Sequence, residues 1–247
     1  MRRFTIAPER IVDGRVTFDA LETRHLARVL RLDRGDTVVA TDGAGRNYTV
    51  RLDAVRPRAT GVVVGVAEAA VESPLAITLV QGVPKADKLE TIVRAATELG
   101  VTRIVPALAA RTVLRLDQTR ASARAARWQR VAREAAKQCR RAIVPDVAPA
   151  RALDACLDEA RHADVALCVW EGESRPLAVA LAETERPRRI AVLIGPEGGL
   201  ERREVEAARA HGWQVVGLGT RILRTETAGP AVVAILQSRW GDLGTVS

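Results

Sequence analysis

The sequence predicts an α/β domain preceded by a smaller, β-rich, barrel-like module, and three observations lead there. Up to about Ala67, short β-prone runs alternate with tight turns, and only one stretch has helical spacing. From Leu75 onward, apolar strands alternate with amphipathic helices, the rhythm of an α/β layer structure. Near the C-terminal end two such strands run out into glycine-punctuated loops, Gly195-Pro196-Glu197-Gly198-Gly199 and Gly219 to Gly229. In an open α/β sheet, ligands lie in the crevice outside such strand ends.

The elements follow in order. Asp13-Gly14 separates Arg10 to Val12 from Arg15 to Phe18 and is a hairpin turn. Glu22 to Leu30 places Leu26, Val29 and Leu30 at helical spacing after Leu21; Val38 to Thr41, Tyr48 to Leu52 and Thr60 to Val66 are further strands. Ala67 to Pro74, small and acidic, is the hinge. Ile77 to Val80 is the first strand of the larger domain, ending at Gln81-Gly82-Val83-Pro84-Lys85. The helix Asp87 to Leu99 buries Leu89, Ile92, Val93, Ala96 and Leu99 and stops at Gly100. Val101 to Leu108 is a strand with Arg111 and Thr112 at its exit.

Helix Ala121 to Cys139 puts Trp128, Val131, Ala132, Ala135 and Cys139 on one face, so Trp128 and Cys139 are expected in the core. Ala150 to Ala160 is expected to be helical, Val165 to Trp170 a buried strand containing Cys168, and its acidic exit Glu171-Gly172-Glu173 to face water, with orienting a ligand as the alternative for these carboxylates. A short helix at Leu177 to Leu181 and an exposed turn, Glu183 to Arg189, lead to the strand Ile190 to Ile194. Helix Glu201 to Arg209 and strand Val215 to Leu218 come next. The final helix is expected over Thr227 to Trp240, because Pro230 is tolerated where the first amides need no intrahelical acceptor.

The glycines of the two loops permit positive φ or close backbone approach, which leaves amides and carbonyls free to hold a flat polar group such as an adenine edge. Neither a GxGxxG turn nor a GxxxxGK[ST] loop occurs, so a phosphate cradle is not the reading. The 247 residues carry 38 Lys and Arg against 30 Asp and Glu, a net charge of +8 rich in arginine that suits an anionic partner. Cys139, Cys156 and Cys168 are widely spaced, and His25, His162 and His211 show no HExxH pattern, so neither a disulfide framework nor a metal site is expected. With no apolar segment after Met1-Arg2-Arg3-Phe4, and none of the roughly 18 residues a span needs, the expectation is a cytoplasmic protein.

The strings Leu193-Ile194-Gly195-Pro196-Glu197-Gly198-Gly199 and Leu218-Gly219-Thr220-Arg221-Ile222-Leu223-Arg224-Thr225-Glu226-Thr227-Ala228 resemble the paired signatures of the bacterial small-subunit ribosomal RNA uridine-N3 methyltransferases. These belong to the trefoil-knotted SPOUT superfamily of S-adenosylmethionine enzymes. Three weaker segments resemble the same family: His25-Leu26-Ala27-Arg28-Val29-Leu30-Arg31, Lys85 to Lys88 with Glu98-Leu99-Gly100-Val101, and Glu134 to Arg141 followed by Pro145. The resemblance implies a PUA-like β-barrel over residues 1–70 and a knotted methyltransferase domain over 75–247, its last helix threaded beneath the Arg221 to Gly229 loop. It further implies a homodimer through the knotted domain and methylation of N3 of one uridine in the decoding region of 16S RNA, within assembled small subunits.

Cofactor contacts carry over to Leu193, Gly195, Glu197, Gly198, Gly199, Leu218, Gly219, Ile222, Leu223, Arg224 and Ala228. RNA contacts fall on Arg3, Arg24, His25, Arg28 and Arg31. Arg111, Arg141 or Arg224 is expected beside the uracil to stabilise a developing N3 anion. A proton acceptor would be Glu197 or Glu226, although holding the donor's amino group or bracing the fold is the role favoured for them. Thr112 replaces a common serine, and Leu200 replaces a common aromatic, which weakens stacking there. A knotted transfer RNA or ribose 2′-O methyltransferase, or a ribosome assembly factor without turnover, are the competing readings.

Overall fold

The structure, a computed structural model, describes residues 2–43, 45–68, 72–112, 118–173 and 175–244, apart from the side chains of 68 and 118–120. It divides into two compact units, Met1–Glu72 with Ala136–Val144, and Ser73–Ala135 with Pro145–Ser247. Residues 69–71 of the expected hinge lie outside the described residues.

The first unit is a six-stranded sheet of β1 (Arg3–Thr5), β2 (Ile11–Val12), β3 (Arg15–Thr17), β4 (Thr37–Thr41), β5 (Arg46–Ala54) and β6 (Thr60–Glu68), in the order β1-β4-β5-β6-β3-β2. All neighbours are antiparallel except β1 and β4. Asp13 and Gly14, with φ of 48° and 71°, make the β2–β3 hairpin turn that this dipeptide favours. Helix α1 (Ala20–Arg24) starts where the Asp19 carboxylate accepts the Glu22 amide at 2.8 Å, and it continues as a π-turn, His25–Val29. Phe4, Phe18, Leu26 and Leu52 are fully buried, the two rings meeting edge to face at 5.8 Å. Each such side chain contributes about 1.5–3 kcal/mol by leaving water. Val29, expected on the apolar side of its helix, is 67% exposed because the π-turn rotates it outward.

The second unit is a seven-stranded sheet in which every paired strand is parallel. Its elements are β7 (Ala76–Gly82), α2 (Lys88–Glu98), β8 (Arg103–Leu108), α3 (Gln118–Cys139), β9 (Asp146–Val147), β10 (Arg151–Ala152) and α4 (Leu153–Cys156). They continue as β11 (Val165–Val169), α5 (Leu177–Ala182), β12 (Arg189–Ile194), α6 (Arg202–Ala210), β13 (Gln214–Val216) and α7 (Thr225–Trp240). The strands lie in the order β10-β8-β7-β12-β11-β13, with β9 also on β8. After the edge strand β13 the chain returns to the middle, where α7 packs on α2, β7 and β12. A return of this kind is what a trefoil-knotted domain contains. Trp128, Ala132 and Ala135 of α3 are buried as expected, as is Cys168 in β11.

Four expectations need correction. Ala150 to Ala160 opens with the strand β10, whose pairing to β8 satisfies its backbone, before α4 and a 3-10 turn. Cys139 is half-buried, and so is Leu99, because each ends its helix. Helix α7 starts at Thr225, two residues early, so Pro230 is its sixth residue and the usual hydrogen bond to the Glu226 carbonyl is missing. Burial of Val232, Val233, Leu236 and Trp240 offsets that loss. Among the described residues no helix is long and apolar enough to cross a membrane.

Candidate active site

Parallel strands deliver their carboxyl ends to one side of the sheet, so the exits of β7, β11, β12 and β13 converge. A cavity of about 590 Å³ lies there, walled by Gly195, Pro196, Glu197 and Gly199 of one loop and by the whole run from Gly217 to Glu226 of the other. One hydroxyl ties the two loops together. Thr225 Oγ1 donates to the Gly195 carbonyl at 2.6 Å and accepts from the buried Gln81 Nε2 at 2.9 Å. The first loop is also held by close approach. A side chain at Gly82 would collide with the backbone of Gly195 and Pro196, and Gly199, at φ 70°, has the Glu171 carboxylate where a Cβ would sit.

The loop passes directly into α6, whose N-terminus is closed by a reciprocal capping box between Glu201 and Glu204. Glu204 reaches further, accepting the Ala110 amide at 2.7 Å. Leu200 is 3% exposed in the core beneath, which explains why an aliphatic residue serves at that position.

A charged cluster stands at one wall. Lys88, the first residue of α2, places its ammonium 3.2 Å from Glu197 Oε1 and 3.4 Å from Glu226 Oε1. Glu197 also accepts the Lys85 amide with both oxygens, at 3.1 and 3.2 Å. Burial of Glu197 disfavours its charge, but its own amide, the Lys85 amide and Lys88 outweigh that and hold its carboxyl below the usual range. The Glu197 hydrogen bond foremost, with Glu226 adding, raises Lys88 above its ordinary value. Glu226 differs from Glu197: its Oε2 is closed to solvent and receives no hydrogen bond among the described residues.

Of the residues expected to contact a cofactor, Gly195, Glu197, Gly199, Leu218, Gly219, Ile222, Leu223, Arg224 and Ala228 line the cavity. Leu193 and Gly198 do not. Leu193 points into the core at 0% exposure, and its neighbour Ile194 takes the lining position. The Gly198 carbonyl faces outward and accepts Arg111 Nη1 at 2.7 Å, so Arg111 braces the loop from outside the lining. Arg224 and Glu226 are on the wall. Arg141 belongs to the first unit, where it is nearly buried in an ion pair with Glu72 at 2.8 Å. The structure adds Lys88, Trp170, Glu171 and Glu173 to the lining; the last two were expected to face water, with orienting a ligand as the alternative, and Glu173 is fixed by Arg209. Their position at the end of β11, next to β12, was the available signal.

In the first unit, Arg24 and Arg28 line a groove of about 670 Å³ together with Arg56 and Arg58 from the β5–β6 connection, two residues the sequence reading passed over. Among the described residues no carboxylate lines that groove. Arg3 instead donates to Asn47 at 3.4 Å, and His25 packs its ring edge against Phe4 at 5.7 Å, with Nδ1 3.9 Å from Glu22. Arg31 stands apart at φ 51°, fully on the surface.

A parallel sheet with a strand-end cavity and a returning last helix, preceded by a small sheet domain, defines a knotted RNA methyltransferase with a PUA-like module. Residues 71–237 match the RNA methyltransferase domain family and residues 19–58 the RNA methyltransferase PUA domain. The chain is 35% identical over 234 residues to the ribosomal RNA small subunit methyltransferase E of Synechocystis sp., covering 94% of this chain and 76% of that one. It is 32% identical to the Bacillus subtilis protein of the same name, over 84% of this chain and 83% of that one. A Neisseria gonorrhoeae ribosomal RNA small subunit methyltransferase E, solved bound to S-adenosyl methionine, superposes with a TM-score of 0.87 at 34% identity, covering 98% and 99% of the two chains. The chain belongs to the ribosomal RNA small subunit methyltransferase E family.

Proposed function

We propose that the chain transfers the methyl group of S-adenosylmethionine to N3 of one uridine in the decoding region of 16S RNA, on assembled small subunits in the cytoplasm. In this reading residues 1–70 hold RNA and residues 75–247 carry the chemistry. The observation that supports it most is the cavity in which the two signature loops are joined through Thr225.

The lining fits the donor. The main chain of two glycine loops suits an adenine edge, Trp170 lines the same cavity, and Glu171 and Glu173 are acidic where hydroxyls and an amino group need acceptors. When bound there, the donor supplies an electrophilic methyl carbon on a cationic sulfur. The chain's own residues position and exclude. Methyl transfer needs an in-line approach of N3, so holding the uracil is much of the catalysis. Base pairing hides N3, so the target uridine must be unpaired or turned out of its helix.

Arg224, exposed on the cavity wall, is the cation closest in role to a developing N3 anion. Arg111 serves through the loop it braces. Arg141 reaches RNA only when its pair with Glu72 opens; an unchanged single-turnover rate in Arg141→Ala would remove it from the reaction. Arg24 and Arg28 of the groove hold RNA phosphates, with His25, Arg3 and Arg31 flanking. A homodimer through the knotted domain is favoured by an apolar hollow of about 810 Å³ between α5 and α7, beside which Val179 and Ile235 are 43% and 45% exposed.

The deciding experiment incubates unmodified small subunits with labelled donor and maps the product. N3-methyluridine at a single decoding-region position is expected. A ribose methyl, a labelled transfer RNA, or donor binding with no transfer would each establish a competing reading instead.

A further inference from the structure

The cavity wall carries two carboxylates on one lysine, and they are not equivalent. Glu197 is saturated: the Lys85 amide bridges both its oxygens and Lys88 meets Oε1. It is a clamp that fixes the first loop to the start of α2. Glu226 is held through Oε1 alone, at 3.4 Å from Lys88, while Oε2 is sealed from solvent with no donor. A buried acceptor oxygen left in that state is costly, and in a folded protein it calls for an explanation. The group sits in the first turn of α7.

Resting on the uridine-N3 reading above, we propose that the Glu226 carboxylate accepts the N3 proton during methyl transfer, and that Lys88 is the positioning residue that fixes this carboxylate. As N3 gains the methyl carbon, the N–H electron pair stays on nitrogen and the proton passes to Glu226, which becomes a neutral acid. The donor departs as a neutral thioether, so one positive and one negative charge vanish together. Glu197, already saturated, takes no proton.

The charges facing Glu226 are few. Lys88 approaches from α2 and Glu197 from the loop after β12, Arg221 and Arg224 lie on its own connection, and Glu171 and Glu173 stand on the loop after β11. Lys88 is the one cation with a direct contact to it among the described residues. Removing that cation frees the Glu226 rotamer, so the aim of the acceptor suffers.

The test compares Lys88→Met, Lys88→Arg and Glu226→Gln in the full-length protein. Single-turnover methylation of small subunits is measured at saturating donor, donor affinity by calorimetry, and folding by urea unfolding. Glu226→Gln is expected to slow transfer by about 100-fold or more while donor affinity stays within about twofold, as loss of a general base does. Lys88→Met is expected to slow transfer at unchanged donor affinity, and Lys88→Arg to return most of the rate. Transfer at the parent's rate in Lys88→Met, or a Glu226→Gln loss explained wholly by donor affinity, overturns the proposal. Absence of N3-methyluridine from the products of the unaltered protein would instead fail the uridine reading itself.

Discussion

In the second unit the cavity is framed by two glycine loops, locked by the Gln81–Thr225–Gly195 hydrogen bonds and by close approach at Gly82 and Gly199, with its lysine paired to two carboxylates. In the first unit the groove is lined by Arg24, Arg28, Arg56 and Arg58 and, among the described residues, by no carboxylate. The first kind of site selects a ligand by shape and fixed dipoles, which are indifferent to salt once water is excluded. The second attracts phosphate by charge on mobile arms, and its hold weakens as salt rises. A shape-reading pocket and a charge-reading groove thus ask for different experiments.

The strongest blow to the cavity is Gly199→Val. A β-branched residue at φ 70° adds strain of about 1–3 kcal/mol, whereas the carboxylate of exposed Glu171 can swing aside at little cost. Donor affinity measured by calorimetry should fall about 10- to 100-fold, and survival of tight binding would show that the first loop is not the seat of the donor. Thr225→Val deletes the hydroxyl that joins the loops and leaves Gln81 Nε2 and the Gly195 carbonyl each short of a partner. Urea unfolding should register about 1–3 kcal/mol lost, with weaker donor binding; stability within error of the parent would mean the loops are held otherwise.

The groove is probed by the double variant Arg56→Gln/Arg58→Gln. The slope of log affinity for RNA against log salt should shrink by about 0.7–0.9 for each phosphate contact removed, while donor affinity is untouched. If Arg46→Gln/Arg51→Gln, exposed on β5, lowers the slope equally, total charge and not the groove governs RNA binding. An acid titration sharpens the contrast further. Because the folded Glu197 carboxyl ionises below its ordinary value of 4.5, its contribution is present above that value and lost as pH falls below it. The stability gap between the parent and Glu197→Gln should therefore close in acid, below about pH 4.5; a gap constant with pH would deny the clamp. The smallest effect concerns thiols. Burial pushes Cys168 up to about 12 and Cys156 upward, so in the native state an alkylating reagent should modify half-buried Cys139 first.

The glycine loops were legible because their chemistry is local: a strand, a turn and a helix start are consecutive in sequence. The same holds for Asp13-Gly14, where two adjacent positive φ angles need that pair. Lys88 was not legible as a site residue, since its partners Glu197 and Glu226 lie more than 100 residues away and no spacing rule brings them together. Trp170 and Glu171 were hidden differently. Strand order decides which exits share a crevice, and β11 lies beside β12 only because β12 inserts between β7 and β11. The start of α7 was missed because Pro230 argued for a later one, whereas a tertiary contact, Thr225 to Gly195, fixed it.

Gln81, Gly195 and Thr225 come from early, late and nearly final stretches of the chain, yet a single hydroxyl needs all three present. A nascent polypeptide emerging from the exit tunnel therefore cannot lock the two loops to one another until α7 has been made and drawn back across the sheet.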